Sequence, residues 1–408
     1  MIIQTELIAV SQAIITTFVA SFSDKYMSKK GRILVAMSGG IDSSVAAMML
    51  HDEGYEVVGV TMKTWDYDSS GGSRKTTGCC SLDDINDARA LAVEKGFHHM
   101  ILDIRAEFGS HIIENFVEEY LAGRTPNPCI LCNTHIKWDA LLKRADQLGC
   151  EFIATGHYAN SRQEENGRYV VSKGLDEKKD QSYVLWGLSQ EALARTRFPL
   201  GSFTKPEIRQ MAIDQGYESL AKKNESYEIC FVPDNDYRGF LNRKVNGLEE
   251  KLNGGKFIDQ DGKVIGEHKG YPYYTIGQRK GLGIAFGEPM FVTKIDPVKN
   301  EVHLGRQENL MGHSMYVRDV NLQKFESIND GLEVVTKIRY KDKGALSHLF
   351  NESDGRTRVD FLHQVSAIAP GQSAVFYDGN DVVGGGFISR STEIPLSFSK
   401  ALINGEMV

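Results

Sequence analysis

The chain lacks a disulfide framework, an export signal and a membrane span. Six cysteines are scattered over 408 residues, too thinly and unevenly for a secreted scaffold stapled by bridges. Residues 1–26 carry an apolar patch, Ile14 to Ala20, but no basic stretch leads into it and Glu6 and Asp24 flank it. Neither a signal peptide nor a spanning helix fits that pattern. The segment reads as a dispensable extension, with Met27 an alternative start, and the chain is expected in the cytoplasm with reduced thiols and no membrane association. No stretch is biased in proline, glutamine or serine and no fixed-period repeat is visible. The 41% hydrophobic and 25% charged fractions are those of a globular chain. Positive charge is also in short supply. A net charge of −7 excludes a protein that coats nucleic acid by phosphate neutralisation alone. Local basic clusters remain at Lys178–Lys179, at Arg279–Lys280 and at Lys337, Arg339, Lys341 and Lys343, each of which taken alone reads as solvated surface.

What is there is an α/β pattern followed by β-rich sequence. The length calls for two or three domains. From Gly31 to about Thr155, brief apolar runs (Ile33 to Met37, Val57 to Met62, Met100 to Asp103, Phe152 to Thr155) alternate with helical patterns (Ser44 to Glu53, Leu82 to Lys95, Ala106 to Leu121, Thr134 to Leu148). That alternation predicts a Rossmann-like parallel sheet wrapped by helices, with ligands beyond the carboxyl ends of its strands. After about Asp234, short alternating segments meet at Gly and Asp turns, as in Phe257 to Ile265, Met290 to Leu304 and Ser373 to Ile388. The expected division is an extension at 1–30, a catalytic domain at 31–235, a small β-rich central domain at 236–305 and a C-terminal β-barrel at 306–408.

The strongest motif is Ser38-Gly39-Gly40-Ile41-Asp42-Ser43-Ser44, between a strand and a helix. Two glycines let the backbone approach a phosphate, and the following amides, the helix N-terminus and the serine hydroxyls supply donors. Asp42 is expected to orient the loop or hold a magnesium ion. No Gly-Lys-Ser/Thr follows, so this is not a Walker A loop. It resembles the PP-loop of the N-type ATP pyrophosphatases, which cleave ATP to AMP and pyrophosphate while adenylating a substrate. NAD, GMP and argininosuccinate synthetases and the tRNA thiolases look alike here.

Cysteine placement narrows the choice. Cys129-Ile130-Leu131-Cys132 stands just before a predicted helix, whose dipole is expected to lower a thiol pKa. No second Cys-x-x-Cys or histidine pair completes a structural zinc site. Cys230 lies far along the chain in the same expected domain and taken alone reads as a core cysteine. Cys79–Cys80 and Cys150 read as uninvolved.

Together the PP-loop, Gly123 to Asn133, Ala154-Thr155-Gly156-His157-Tyr158, Lys179-Asp180-Gln181 and Ser226 to Phe231 resemble the tRNA-specific 2-thiouridylase (MnmA) family, over nearly all of Gly31 to Ile388. The resemblance implies 2-thiolation of a tRNA wobble uridine through an adenylated base, with release of AMP and pyrophosphate. It implies Cys132 as nucleophile, Cys230 as persulfide carrier, and a Cys132–Cys230 disulfide at the end of the turnover. Ala36, Met37, Ser38, Gly39, Gly40, Ile41, Asp42, Ser43, Met62 and Gly156 match its ATP site. Asn127, Pro128 and Cys129 match its target-base loop, and His157, Lys179, Asp180, Gln181, Arg339, Tyr340 and Gln372 match its tRNA contacts. ATP, Mg2+, tRNA and a sulfur donor, a cysteine desulfurase or relay protein, are the implied ligands and partners. Lys337 to Lys341 would suit a backbone-gripping strand, with alternating cations for phosphate and an aromatic for stacking, or else a solvated edge strand.

One departure keeps the sulfur chemistry open. Some members have Asp where this chain has Cys129, so Cys129, Cys132 and Cys230 also permit an iron–sulfur cluster. A PP-loop ligase acting on a small metabolite, which would leave the cysteines idle, and a catalytically silent tRNA-binding protein are the remaining alternatives.

Overall fold

The computed structural model describes residues 30–65, 82–223, 229–232, 235–284 and 287–390. Residues 1–26, Cys79–Cys80, and part of the Ser226 to Phe231 motif lie outside them. Strands β1 (Arg32–Ala36), β2 (Glu56–Lys63), β3 (His98–Asp103) and β4 (Phe152–Ala154) form a parallel sheet. The chain then leaves the sheet in an antiparallel hairpin, β5 (Ala159–Gln163) and β6 (Tyr169–Lys173), and returns for β7 (Thr196–Arg197), giving the order β3-β2-β1-β4-β7. Strand β1 alternates cleanly. Ile33 and Val35 pack under helices α1 (Ile41–Asp52) and α2 (Leu82–Lys95), whereas Leu34 faces Trp138 and Leu141 on the other side. The strand order reverses direction at β1, so its carboxyl end and that of β4 border the crevice where such sheets bind ligands.

Two helical runs differ from their sequence expectations. Residues 105–121 form a short helix (Arg105–Phe108), a wide π-type turn (Gly109–Ile113) and α3 (Glu114–Leu121). The second run starts at Pro128 rather than Thr134. It comprises Pro128–Leu131, a π-type turn Cys132–Lys137 and α4 (Trp138–Gln147). Pro128 occupies the first helical position, where its fixed φ suits the helix and its missing N–H costs nothing. The expectation that Cys129 and Cys132 precede a helix is therefore corrected: both lie inside one. The two wide turns pack against each other's flanking helices, and such turns concentrate at functional sites.

The central region opens with two helices, α5 (Tyr237–Lys244) and a shorter one at Leu248–Leu252, that the β-rich reading did not foresee. Phe240, Leu241, Leu248 and Leu252 anchor them. The sheet that follows joins β8 (Gly255–Ile258), β9 (Val264–His268), β10 (Phe291–Asp296) and β11 (Glu301–Gly305) in the order β10-β11-β8-β9. The C-terminal barrel closes through β12 (Met311–Leu322), β15 (Thr357–Ser366), β14 (Ala345–Asn351), β13 (Leu332–Lys337), β16 (Ser373–Asp378) and β17 (Asp381–Ser389), with β17 returning to β12. Strand β6 pairs onto β17 at Ser172 and Asp381, so the hairpin of the first domain extends the barrel's sheet.

Residues 338–341 are not a strand. Strand β13 ends at Lys337, and Asp342 turns the chain by accepting the Ile338 N–H at 3.1 Å while its own N–H donates to the Arg339 carbonyl at 3.0 Å.

Candidate active site

The phosphate loop is shaped by contacts that leave no room for side chains. Gly39 has φ +72°, and a Cβ there would lie 2.1 Å from the Asp84 carbonyl oxygen at the start of α2. Helix α1 starts at Ile41 rather than Ser44, with Gly40 as its N-cap, so Asp42 and Ser43 belong to its first turn. The Ser43 hydroxyl accepts the Ser38 N–H at 3.0 Å and donates to the Gly40 carbonyl at 3.2 Å, curling the loop over the helix N-terminus. From β4, Gly156 comes so close that a Cβ would meet the Ser43 nitrogen at 2.7 Å. Met37 and Ile41 point into the core, and the Met37 N–H already donates to the Val60 carbonyl at 2.8 Å. Met62 is half-buried at the carboxyl end of β2, and Ala36 is half-buried at the end of β1.

The carboxylate of Asp42 is held by the Lys205 ammonium at 2.7 and 2.9 Å and by the Tyr158 hydroxyl at 2.7 Å. Gln181 fixes Tyr158 in turn: its side-chain oxygen accepts the Tyr158 N–H, and its own N–H donates to the Tyr158 carbonyl, both at 2.9 Å. Lys205 opens a helix, Lys205–Asp214, capped by Thr204 and Glu207, and is 5% exposed. The Asp42 carboxylate, 33% exposed, is thus paired with a buried ammonium. A second lysine, Lys223, donates to the Gly39 carbonyl and to Asp84, both at 2.9 Å, and pairs with Asp87 at 2.5 Å. The sequence reading missed Lys205 and Lys223. Thr204 and Glu207 signal a helix start, but no local pattern says that its first lysine meets a residue 163 positions earlier.

Cys132 is buried, with Ile136, Phe231 and Phe116, in an apolar cluster against which Cys230 packs half-buried. Cys129 is open to solvent, yet burial among surrounding atoms raises its thiol pKa, only partly offset by Lys137. The expected lowering by the helix dipole is overridden at Cys129, since desolvation disfavours the thiolate. The same Lys137 bears on His157, whose pKa falls to about 3, first through burial and then through that cation. His157 lies against Trp138 with ring centroids 5.6 Å apart and shares a 2.8 Å hydrogen bond, through Nδ1, with Thr155. Cys150, in the turn between α4 and β4, is a buried core thiol pushed up to about 11 by burial. Among the described residues no three His, Cys, Asp or Glu side chains converge to hold a metal, so Cys129, Cys132 and Cys230 do not form a cluster site in this arrangement.

The loop leading to Cys129 is gripped by all three domains. Arg124 forms a bidentate buried pair with Glu119, 2.7 Å on each side. Gly123 is in the left-handed region, and a Cβ there would strike Pro297 of the central domain at 2.8 Å. From the barrel side, Arg390 donates to the Gly123 carbonyl at 2.7 Å, the Pro370 carbonyl accepts the Thr125 N–H at 2.8 Å, and Gln372 donates to the Thr125 and Pro126 carbonyls at 3.1 and 3.2 Å.

Comparison with known proteins agrees with this architecture. Residues 31–234 match the family described as tRNA methyl transferase HUP domain, 239–306 its PRC-barrel domain, and 312–388 the aminomethyltransferase beta-barrel domain. A tRNA-specific 2-thiouridylase MnmA of Amoebophilus asiaticus is 62% identical over 90% of this chain and 97% of its own length. One of Cytophaga hutchinsonii is 62% identical over 90% and 99%, and one of Salinibacter ruber 56% over 89% and 95%. The chain belongs to the tRNA-specific 2-thiouridylase family. Apart from His157, which lies against Trp138, the residues expected at tRNA fall in two places. Asn127, Pro128, Cys129 and Gln372 meet at the gripped loop. Lys179, Asp180, Gln181, Arg339 and Tyr340 meet where the first domain touches the barrel, the Tyr340 hydroxyl donating to the Asp180 carbonyl at 3.0 Å. Within that second group the Asp180 carboxylate is engaged by the Gly174 and Ser182 N–H groups and the Ser182 hydroxyl, and Gln181 by Tyr158. Nearby, Lys173 and Lys337 both lie over the Tyr377 ring, at 4.9 and 5.1 Å. No described helix is long and apolar enough to cross a membrane.

Proposed function

We propose that this chain thiolates position 2 of a uridine in tRNA with ATP and a cysteine-borne sulfur. The observation that carries the reading is a phosphate-shaped loop and a cysteine-bearing helix in one domain, in a chain of this family. ATP would lie on Ser38 to Ser43, where backbone N–H groups and the α1 N-terminus favour its phosphates, with Gly156 and Met62 bordering the nucleotide. Attack of the uridine O2 on the α-phosphorus releases pyrophosphate and makes C2 electrophilic. A persulfide on Cys230 then delivers its terminal sulfur to C2 and AMP leaves. Cys132 takes up the remaining sulfur of Cys230 as a disulfide, and the electron pair of the persulfide bond goes with the transferred sulfur.

In this assignment residues 31–235 catalyse, 306–408 contact tRNA through Arg339, Tyr340 and Gln372, and Asn127 to Cys129, His157 and Lys179 to Gln181 meet the anticodon region. His157, half-buried and kept neutral by desolvation, suits hydrogen bonding to a base rather than pairing with phosphate. A desulfurase or relay protein charges Cys230. The family descriptions mention methyl transfer, but a loop shaped for phosphate and the cysteines favour adenylation and sulfur transfer.

The test uses the protein with a cysteine desulfurase and cysteine as the source of persulfide sulfur, ATP, a thiol reductant and unmodified tRNA, followed by digestion and mass spectrometry for 2-thiouridine. Cys132→Ser and Cys230→Ser are expected to abolish the product while ATP–pyrophosphate exchange persists. Thiolation retained in either variant sinks the persulfide route, and AMP formation without a thiolated base points to a small-metabolite ligase.

A further inference from the structure

Resting on that sulfur-transfer reading, we propose that Cys129 is the resolving thiol of the turnover, taking Cys132 out of its disulfide with Cys230. The geometry of the Cys-x-x-Cys segment carries the proposal. The Cys132 N–H donates to both the Pro128 and the Cys129 carbonyl, so one tight helical turn separates the two cysteines. At three positions apart on a helix, side chains share a face with Cβ atoms roughly 5–6 Å apart. A disulfide needs about 3.5–4.5 Å between Cβ atoms, a closure of about 1.5 Å. Ile130 is fully buried between them and fixes the rotation of the turn, which leaves Cys129 exposed while Cys132 is 5% exposed.

This division of exposure gives the two cysteines different tasks. A Cys132–Cys230 disulfide would sit in the apolar cluster of Phe108, Phe116 and Phe231, where an external reductant has poor access. In the resolving step the Cys129 thiolate attacks Cys132 Sγ, a Cys129–Cys132 bond forms, the Cys132–Cys230 bond breaks, and Cys230 leaves as a thiolate. No net oxidation occurs, and the proton lost by Cys129 is matched by the one Cys230 takes up. Cys230 is then ready for a new persulfide, and the disulfide left on the exposed turn is reduced by an external dithiol, which ends as its own disulfide. The raised pKa of Cys129 thins its thiolate population but makes each thiolate the stronger nucleophile.

The test follows one turnover of the full chain, loaded with persulfide and given ATP and tRNA without reductant, then alkylated and mapped by peptide mass spectrometry. A Cys129–Cys132 linkage with Cys230 alkylated is the expected result. A Cys132–Cys230 linkage with Cys129 alkylated overturns the resolving role and leaves the persulfide reading standing. 2-Thiouridine formed with no protein disulfide overturns both. As a second readout, Cys129→Asp, which keeps a polar group there but removes the thiol, should lower the ratio of later turnovers to the first about ten-fold under a protein dithiol reductant. An unchanged ratio counts against the proposal.

Discussion

At the scale of single residues, the nucleotide loop depends on what is absent from Gly39 as much as on what surrounds it. Replacing Gly39 by Ala puts a Cβ 2.1 Å from the Asp84 carbonyl at a positive φ, a conflict that backbone movement must resolve. Gly39→Ala is expected to cost about 1–3 kcal/mol of stability and to lower ATP–pyrophosphate exchange at least about ten-fold, read by melting and exchange assays, with tRNA binding kept. Lys205→Met tests the other support of the loop. It leaves Asp42 with Tyr158 alone, and breaking a buried pair from one side costs about 3–5 kcal/mol, the lower end being expected here because Asp42 is 33% exposed. A Tm equal to that of the parent would show the pair to be incidental. The glycines were legible in the sequence because their chemistry is local. Lys205 and Lys223 were not, since a lysine that meets its carboxylate only through the fold leaves no pattern in its neighbours.

At the scale of elements, the helix bearing the cysteines is broader at Cys132–Lys137 than a regular α-helix and is reached by a loop with little freedom. Gln372 supplies two of the hydrogen bonds on that loop, yet it lies on the surface of another domain. Gln372→Ala is expected to leave ATP–pyrophosphate exchange without tRNA intact and to slow thiolation about ten-fold, the effect of a small displacement of a reacting group. Equal loss in both assays would mean that the loop does not act through the thiols. Four of the parallel strands were readable from their apolar runs to within a residue or two, whereas the two-residue β7 was not foreseen. The start of the cysteine helix was not, because Pro128 looks like an interruption in a periodic pattern and is in fact the first helical residue. Nor was the turn at 338–341, where alternating charge resembled a strand and Asp342 ended it.

At the scale of the whole molecule, Asp381 ties the barrel to the hairpin of the first domain. It accepts hydrogen bonds from Arg162, Ser172 and Lys324, each at 2.8 Å. Burial pushes its carboxyl up, but those hydrogen bonds more than reverse the effect and hold it well below the usual carboxylate range. A depressed folded-state pKa contributes stability that is complete above the unfolded value, near 4, and is lost as pH falls through the folded value. Asp381→Asn is therefore expected to be less stable by about 2 kcal/mol at pH 7, with the gap to the parent narrowing below about pH 4. Urea midpoints at pH 7 and pH 3 check this, and a gap that widens in acid contradicts it. Three domains were readable from composition and turn spacing. Their joining was not, because the pairing of β6 with β17 links residues more than two hundred positions apart and neither strand announces its partner.

That pairing bears on how the chain can be cut or recombined. Boundaries drawn along the sequence make the barrel look like a detachable module, yet truncation before β12 would strip β6 of its neighbour and leave an unsheltered strand edge beside Arg162, a template for self-association. A chimera that exchanges the barrel between relatives would have to carry the β5–β6 hairpin with it. The unit that inheritance can shuffle without penalty is therefore discontinuous in sequence: one arm lies within the nucleotide domain and the body lies at the far end of the chain.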